Sequence, residues 1–423
     1  MDRLLIAGGP RLQGTVPISG AKNSALKLMA AALLADGRTV ISEAPRIADC
    51  LTMGQVLEHL GAEVEWAGPD MVVDTSHADG VEAPYELVRA MRASIVVLGP
   101  LLARRGRARI AMPGGCNIGS RKIDLHLKGL ERMGARFSYE HGYLLAEAPE
   151  LRGAVISLDF PSVGATENVL MAAVGASGTT VIENAAREPE IEDLAVMLAE
   201  MGAKIDGAGT TTIEIIGTQD LRPVTHRVVP DRVETGTFAL AACATRGDVL
   251  LSGARADHLD LFLAKLSDAG ATLAVEDVGL RVTMDDRARS VDFVTLPYPG
   301  FPTDLQPQML AMLATADGTS IATENVFESR FMFVDELQRM GADVRTEGHH
   351  AVVRGVERLS AAPVRALDIR AGAATVIAAL AADGTTEISH VYHLDRGYEA
   401  LEAKLTALGA VVRREHAGTA AES

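Results

Sequence analysis

Only three of the 423 residues are cysteine: Cys50, Cys116 and Cys243. Three thiols make no disulfide framework, and no CxxC pair or His-rich tract offers metal ligands at zinc spacing. Aromatic residues are also scarce, at 4% of the chain with a single tryptophan, Trp66. With so few rings to stack on bases and a formal net charge of -16, the chain does not read as a nucleic-acid binder. No apolar run reaches the length of a membrane span. The opening Met1-Asp2-Arg3-Leu4-Leu5-Ile6 enters a strand-like run at once, without the basic segment, long apolar stretch and cleavage site of an export signal. The expectation is therefore a soluble cytoplasmic protein with no membrane contact. No GxxxxGK[ST] loop is present, which removes ATP chemistry of that type. Residues His416 to Ser423 read as a frayed tail.

What the chain does have is apolar mass, with 48% hydrophobic residues, 23% charged residues and 40 glycines. That is enough for two large cores with helices packed closely on sheets. A helix end of the form Leu-x-x-hydrophobic-Gly-Ala occurs at Leu57–Ala62, Leu130–Ala135, Leu198–Ala203, Leu266–Ala271, Leu337–Ala342 and Leu405–Ala410. Its glycines are spaced by 68 to 73 residues, a period that marks an internal repeat. Each follows an amphipathic helical pattern and precedes an alternating strand pattern, as in Ala62-Glu63-Val64-Glu65-Trp66, so it predicts a glycine C-cap. A second glycine precedes each by 23 to 28 residues, at Gly37, Gly106, Gly178, Gly247, Gly318 and Gly384. Before it lies a strongly apolar helix, such as 26–35 or 374–382. The pattern predicts an α/β protein of six repeated units, with apolar helices buried and sheets outside them.

Setting the repeats in phase brings polar residues to the heads of these apolar helices. They are Lys22, Arg92, Ser162, Arg232 (beside Asp231 and Glu234), Asp304 and Arg370. Buried charge is costly unless paired or functional, and helix N-termini favour anions. Arg121 and Arg396 each lie 13 residues before a repeat glycine, and Arg330 lies 11 before one. If the units share a fold, these arginines head the second helix, and basic groups from several repeats converge on a site between lobes.

Three local segments stand out. Met112-Pro113-Gly114-Gly115-Cys116-Asn117-Ile118-Gly119-Ser120-Arg121 puts a cysteine in a glycine-rich loop, with Arg121 and Lys122 next to it. Nearby positive charge lowers a thiol pKa. Cys50 and Cys243 sit in helical apolar patterns and read as core. Pro230-Asp231-Arg232-Val233-Glu234-Thr235-Gly236-Thr237 reads as an N-cap with charges of both signs. In Phe301-Pro302-Thr303-Asp304-Leu305-Gln306 the bland reading is a capping Thr303 or Asp304. A carboxylate among substrate anions suits a general base instead.

These segments, with Lys22-Asn23, Glu328-Ser329-Arg330-Phe331, Asp368-Ile369-Arg370-Ala371-Gly372 and Asp395-Arg396-Gly397-Tyr398, resemble the UDP-N-acetylglucosamine 1-carboxyvinyltransferase family of enolpyruvyl transferases. The resemblance runs in order from Ile6 to about Gly409. It implies an inside-out α/β barrel in two lobes of three repeats, one at 21–229 carrying the Cys116 loop and one combining 1–20 with 230–423. It implies transfer of the enolpyruvyl group of phosphoenolpyruvate to the 3'-hydroxyl of UDP-N-acetylglucosamine, with no cofactor, no metal and no obligate protein partner. In that likeness Lys22, Arg121 and Arg396 hold phosphoenolpyruvate, Asn23 touches both substrates, and Arg92 contacts the site near the Cys116 loop. Arg330 and Arg370 complete the basic cluster, Asp304 is the base, and Cys116 is the acid or adduct-forming thiol. Ser162, Val163, Gly164 and Val326 join the substrate-binding set. Family members often carry a basic residue just before Ser162, where this chain has Phe160, so Ser162, Val163 and Gly164 are left to supply hydroxyl and backbone donors.

Two rival readings stand beside this one. Enolpyruvyl transfer to shikimate 3-phosphate shares the fold and phosphoenolpyruvate, but the Cys116 loop and the Asp231–Thr237 segment match the sugar-nucleotide enzymes. A non-catalytic repeat scaffold would bind a nucleotide sugar without releasing phosphate.

Overall fold

A computed structural model describes residues 2–112 and 123–416. Each Leu-x-x-hydrophobic-Gly-Ala segment forms the same helix stop. The alanine N–H returns to the leucine carbonyl at 3.0–3.1 Å, and the glycine N–H bonds the carbonyl three residues back. The six glycines adopt φ between 90° and 115°. This is a Schellman turn, and its left-handed residue explains the glycine at all six places. The repeat seen in the sequence is therefore a repeated way of leaving a helix for a strand.

The apolar helices are Lys22–Ala31, Leu98–Arg105, Val163–Ala173, Arg232–Ala244, Gln306–Leu313 and Ile369–Leu380. In the last two every residue is buried. Helices this apolar on all faces have no surface to offer water. Two of them begin irregularly. Arg92–Val97 and Thr303–Leu305 are 3-10 turns ahead of the α-helices, and Pro100 or Pro307 follows within the first α-helical turn. Small residues let the helices close on one another. A Cβ on Gly99 would meet the Asn168 carbonyl oxygen at 2.3 Å, and one on Gly236 would meet Leu305 at 2.4 Å.

Six four-stranded sheets, among the described residues, cover these helices. In the first, Thr225–Arg227 runs parallel to Arg38–Ser42, which pairs antiparallel with Asp70–Asp74 and through it with Glu63–Ala67. The other five repeat this order. Two take strands from the N-terminal segment. Gln13–Pro17 is the parallel edge beside Asp248–Ser252, and Arg3–Ala7 lies antiparallel between Thr385–Ser389 and Val411–Glu415. Alternating burial, as in Thr212–Ile216, gives each sheet one wet face and one dry face.

The chain divides into two compact units. One is built from the N-terminal segment up to Ser19 together with the chain from Pro230 onward, and the other from the chain between Gly20 and Val229. Each has its own apolar core. Among the described residues no helix is long and apolar enough to cross a membrane, and no cluster of His, Cys, Asp or Glu could hold a metal ion. The tail expected to fray lies outside the described residues beyond His416.

Candidate active site

In the unit formed by 20–229, Lys22 is the first residue of a buried helix. Its Nζ lies 3.4 Å from Asp49 Oδ2, and both side chains are buried. One turn along, Lys27 Nζ donates to the Asn23 carbonyl at 2.6 Å and lies 3.4 Å from Glu167 Oε1. Glu167 is fully buried, which pushes its carboxyl up to about 8 even though Lys27 acts in the opposite sense. The helix head carrying Lys22 and Asn23 is thus braced from within the core.

Arg92 opens the 3-10 segment of the second repeat. Burial, and after it Arg92, push His126 down to about 4, so its imidazole is neutral. Asn168 Nδ2 lies 2.9 Å from His126 Nδ1. An amide nitrogen can only donate, which puts the imidazole proton on Nε2. Ser162 caps the third core helix by accepting from the Ala165 N–H at 3.4 Å. Val163 and Gly164 form its first turn, and a Cβ on Gly164 would lie 3.0 Å from His126 Cε1. Phe160 is exposed, and beside it Lys128 Nζ pairs with Asp159 at 3.1 Å. Cys116 and Arg121 lie outside the described residues. Cys50 and Cys243 are buried in helices, and burial pushes the Cys243 thiol up to about 12.

The other unit gathers more of the expected residues in one place. Asp304, in the 3-10 turn Thr303–Leu305, accepts from Arg330 Nη2 at 2.8 Å on Oδ1 and from Arg370 Nη2 at 2.9 Å on Oδ2. Neither Thr303 nor Asp304 caps the helix that follows. Both arginines are buried, while a quarter of the Asp304 side chain is open to solvent. Burial pulls the Arg370 guanidinium down, but Asp304, Tyr398 and Asp231 together outweigh it and hold it above its ordinary value. Tyr398, fully buried, contacts Thr237 Oγ1 at 3.0 Å and Gln308 Nε2 at 3.4 Å through its hydroxyl.

Asp231 is the N-cap anticipated from the sequence, accepting from the Val233 and Glu234 N–H groups at 2.7 and 3.0 Å. Arg232 stacks over the Tyr298 ring at 5.6 Å. Glu234 is buried against Lys404 at 2.7 Å. Of the three arginines expected to head second helices, Arg121 lies outside the described residues and the other two do so loosely. Arg330 lies four residues ahead of Val334–Arg339, and Arg396 ends the short helix Tyr392–Asp395. The second helices of these two repeats have only six and seven residues, against twelve in the first, and a turn replaces the missing length. Arg414 grips Asp395, next to Arg396, through both terminal nitrogens, at 2.5 and 3.0 Å.

Sequence reasoning passed over Glu324. Its Oε1 accepts from the Val326 and Phe327 N–H groups at 2.8 and 3.0 Å, and its Oε2 accepts from Thr303 Oγ1 at 3.0 Å. No periodic or local signal marks it, because its side-chain partner Thr303 lies 21 residues away in sequence. The structure therefore brings Asp304, Arg330, Arg370 and the Val326 turn together in one unit. Lys22, Asn23, Arg92 and Ser162–Gly164 belong to the other.

Comparison with known proteins adds an independent observation. The chain matches the family model described as EPSP synthase (3-phosphoshikimate 1-carboxyvinyltransferase) over residues 6–405. It is 55% identical over 417 residues to UDP-N-acetylglucosamine 1-carboxyvinyltransferase 2 of Carboxydothermus hydrogenoformans, covering 98% of this chain and 99% of that protein. It is 52% identical over 413 residues to the UDP-N-acetylglucosamine 1-carboxyvinyltransferase of Mycobacterium tuberculosis, again covering 98% and 99%. Among solved structures, the enolpyruvyl transferase NikO from Streptomyces tendae matches with a TM-score of 0.89 at 27% identity, covering 98% of this chain and 99% of that one. EPSP synthase from Acinetobacter baumannii matches at 0.77 with 18% identity, covering 98% and 100%, which is a likeness of fold alone.

Proposed function

We infer, because this chain belongs to the EPSP synthase family of enolpyruvyl transferases, that it transfers the enolpyruvyl group of phosphoenolpyruvate to the 3'-hydroxyl of UDP-N-acetylglucosamine and releases phosphate. The reaction is the first committed step of peptidoglycan precursor synthesis, and so bears on cell shape and division. The observation that carries the reading is likeness at 52–55% identity, over nearly the full length, to relatives named for this activity. Action in the cytoplasm is part of the same proposal.

The chemistry is addition followed by elimination at carbon. The acceptor is an unactivated sugar hydroxyl, which needs a base within about 2.6 to 3.2 Å. In this proposal Asp304 takes that proton. Its position between Arg330 and Arg370 favours a carboxylate, and its partial exposure leaves it open to an acceptor. Phosphoenolpyruvate becomes electrophilic at C2 as C3 gains a proton, and Cys116 is the proposed donor. Addition gives a tetrahedral intermediate carrying both phosphate and sugar; the thiolate left at Cys116 is proposed to take a proton back from C3 as phosphate leaves C2, which restores the double bond. Lys22, Arg121 and Arg396 are proposed to hold the phosphate and carboxylate charges as phosphate departs. Asn23, Arg92, Ser162, Val163, Gly164 and Val326 are proposed to bind and orient the substrates. Side-chain cations neutralise the phosphate in this scheme, so no metal is invoked.

The test is release of inorganic phosphate from phosphoenolpyruvate with each acceptor supplied in turn. Release with UDP-N-acetylglucosamine, together with an enolpyruvyl product found by mass spectrometry, supports the reading. Release only with shikimate 3-phosphate, or nucleotide-sugar binding without release, overturns it.

A further inference from the structure

Arg330 is buried, and its guanidinium is held by two hydrogen bonds. Nη2 donates to Asp304 Oδ1 at 2.8 Å, and Nη1 donates to Thr303 Oγ1 at 3.2 Å. Its Nε is buried with no hydrogen-bond partner among the described residues. A planar fork anchored at both tips has a fixed orientation, whereas a fork anchored at one tip can turn about that bond. The Thr303 contact therefore decides whether Arg330 faces Asp304 in one way or several.

Glu324 sets the direction of that contact. A carboxylate only accepts. Oε1 of Glu324 takes the Val326 and Phe327 N–H groups, so the Thr303 hydroxyl must send its proton to Oε2. The lone pairs of Thr303 then face the Arg330 donor. Glu324 is itself fixed, because its N–H donates to the His349 carbonyl at 2.8 Å and its own carbonyl lies 3.1 Å from His349 Nδ1. It is almost completely buried, immediately after the strand Thr319–Thr323. One acid thus shapes the turn that leads to Arg330 and orients the hydroxyl that holds Arg330.

We propose that Glu324 and Thr303 are positioning residues, which fix Arg330 and through it the orientation of the Asp304 carboxylate toward the acceptor hydroxyl. The proposal rests on the reading of Asp304 as the base. Neither residue touches the reacting atoms in this scheme. Their effect should fall on turnover rather than on affinity for the sugar nucleotide, because a misaimed base slows proton removal.

The test uses the full-length enzyme with steady-state kinetics in both substrates. Thr303→Val keeps the shape of the side chain and removes the hydroxyl. Thr303→Ser keeps the hydroxyl. Glu324→Gln keeps an oxygen for the Val326 and Phe327 N–H groups but turns a donor toward Thr303. Thr303→Val is expected to lower kcat by roughly 10-fold with KM for UDP-N-acetylglucosamine changed by less than about 3-fold. Thr303→Ser should restore kcat to within about 2-fold of the parent. Glu324→Gln should lower kcat about as much as Thr303→Val, and the double variant should be little worse than either single one, because both changes cut one link. Equal losses in the Ser and Val variants would mean that only packing matters, and fully multiplicative losses in the double variant would mean that the two residues act separately. Either result overturns the proposal, as does parental kcat in Thr303→Val. Asp304→Asn is measured alongside. If it is slow while Thr303→Val is normal, the positioning link fails and the base assignment stands. If Asp304→Asn turns over normally, it is the base assignment that fails.

Discussion

Arg370 donates to Asp304 at 2.9 Å, and Arg370 is buried while the carboxylate it holds is partly open. A cation sunk in the core thus presents an anion at its edge. Asp304→Asn removes the charge and the basic lone pairs but keeps the size. Turnover should fall by at least ~100-fold, with the variant still folded and still binding UDP-N-acetylglucosamine. The amide leaves two buried guanidinium groups sharing one neutral oxygen, so the melting temperature should fall as well. Calorimetric titration with the sugar nucleotide, run beside the kinetics, separates lost chemistry from lost binding. Near-normal turnover would remove Asp304 as the base. Asp231 and Glu234 would be poor replacements, since the first caps a helix and the second is buried against Lys404.

The three thiols should react very unequally. Cys50 and Cys243 lie inside helices with almost no exposure, and the Cys243 thiol is pushed up to about 12 by burial. Cys116 has Arg121 and Lys122 nearby in sequence, which favours the thiolate. Brief treatment of the folded enzyme with a thiol reagent, followed by peptide mass mapping, should find label on Cys116 first. Equal labelling of all three would contradict this. Sensitivity to an epoxide that imitates phosphoenolpyruvate should follow the same residue.

Much of the fold was legible because it is written six times. A Schellman turn demands a left-handed residue at a fixed place, and glycine is the cheapest answer, so geometry left a mark at Gly61 and its five counterparts. Buried helices left a mark as apolar residues on every face. The strand swap was not written locally. That Arg3–Ala7 pairs with strands near residues 387 and 413 depends on long-range closure of a sheet, and only the family likeness supplied a combined N- and C-terminal unit. In the candidate site, phase pointed to Asp304 and Arg370, because both head core helices. It could not point to the contact between Glu324 and Thr303, which joins residues 21 apart in sequence. Lys27 and Arg414 escaped as well: Lys27 donates to the Asn23 carbonyl from one turn along the same helix, and Arg414 holds Asp395, next to Arg396.

Two histidines should make opposite contributions to stability as pH changes. His226 lies 2.9 Å from Asp193 and 2.8 Å from Glu200, one carboxylate at each ring nitrogen. Burial acts to lower its pKa, but the two carboxylates raise it above its ordinary 6.5. Its contribution is fully present below 6.5 and is lost as pH rises through the folded-state value. His126 is the reverse case. Burial lowers it to about 4, so its contribution is present above 6.5 and is lost as pH falls toward 4. The melting-temperature advantage of the parent over His226→Gln should be larger at pH 6 than at pH 9. Its advantage over His126→Gln should shrink between pH 7 and pH 4. Gaps that stay constant with pH would show that neither ring titrates as described.

Lys404 offers the sharpest test of how the unit containing residues 230–416 is held together. Its Nζ donates to Glu234 Oε1 and to Ser19 Oγ, both at 2.7 Å, and the Ser19 N–H donates to Glu234 Oε2 at 2.6 Å. The triad ties the end of the N-terminal segment to the first turn of the helix Arg232–Ala244 and to the helix Leu401–Ala407. Glu234 is fully buried. Burial raises its pKa above the ordinary value, with Lys404 acting against that rise. Lys404→Met removes the opposing cation and keeps the bulk of the stem. An uncompensated buried carboxylate remains, which costs about 3 to 5 kcal/mol. The carboxylate escapes part of that cost by taking up a proton in the folded state. An acid whose folded pKa is raised makes the protein less stable as pH climbs above its unfolded value. The stability deficit of Lys404→Met, measured by urea unfolding, should therefore be small near pH 5 and grow toward pH 9. Glu234→Gln added to Lys404→Met should recover most of the loss and flatten its pH dependence, since the neutral amide can still accept from the Ser19 N–H. If the double variant is as unstable as Lys404→Met alone, the loss comes from packing around the lysine stem and not from the stranded charge.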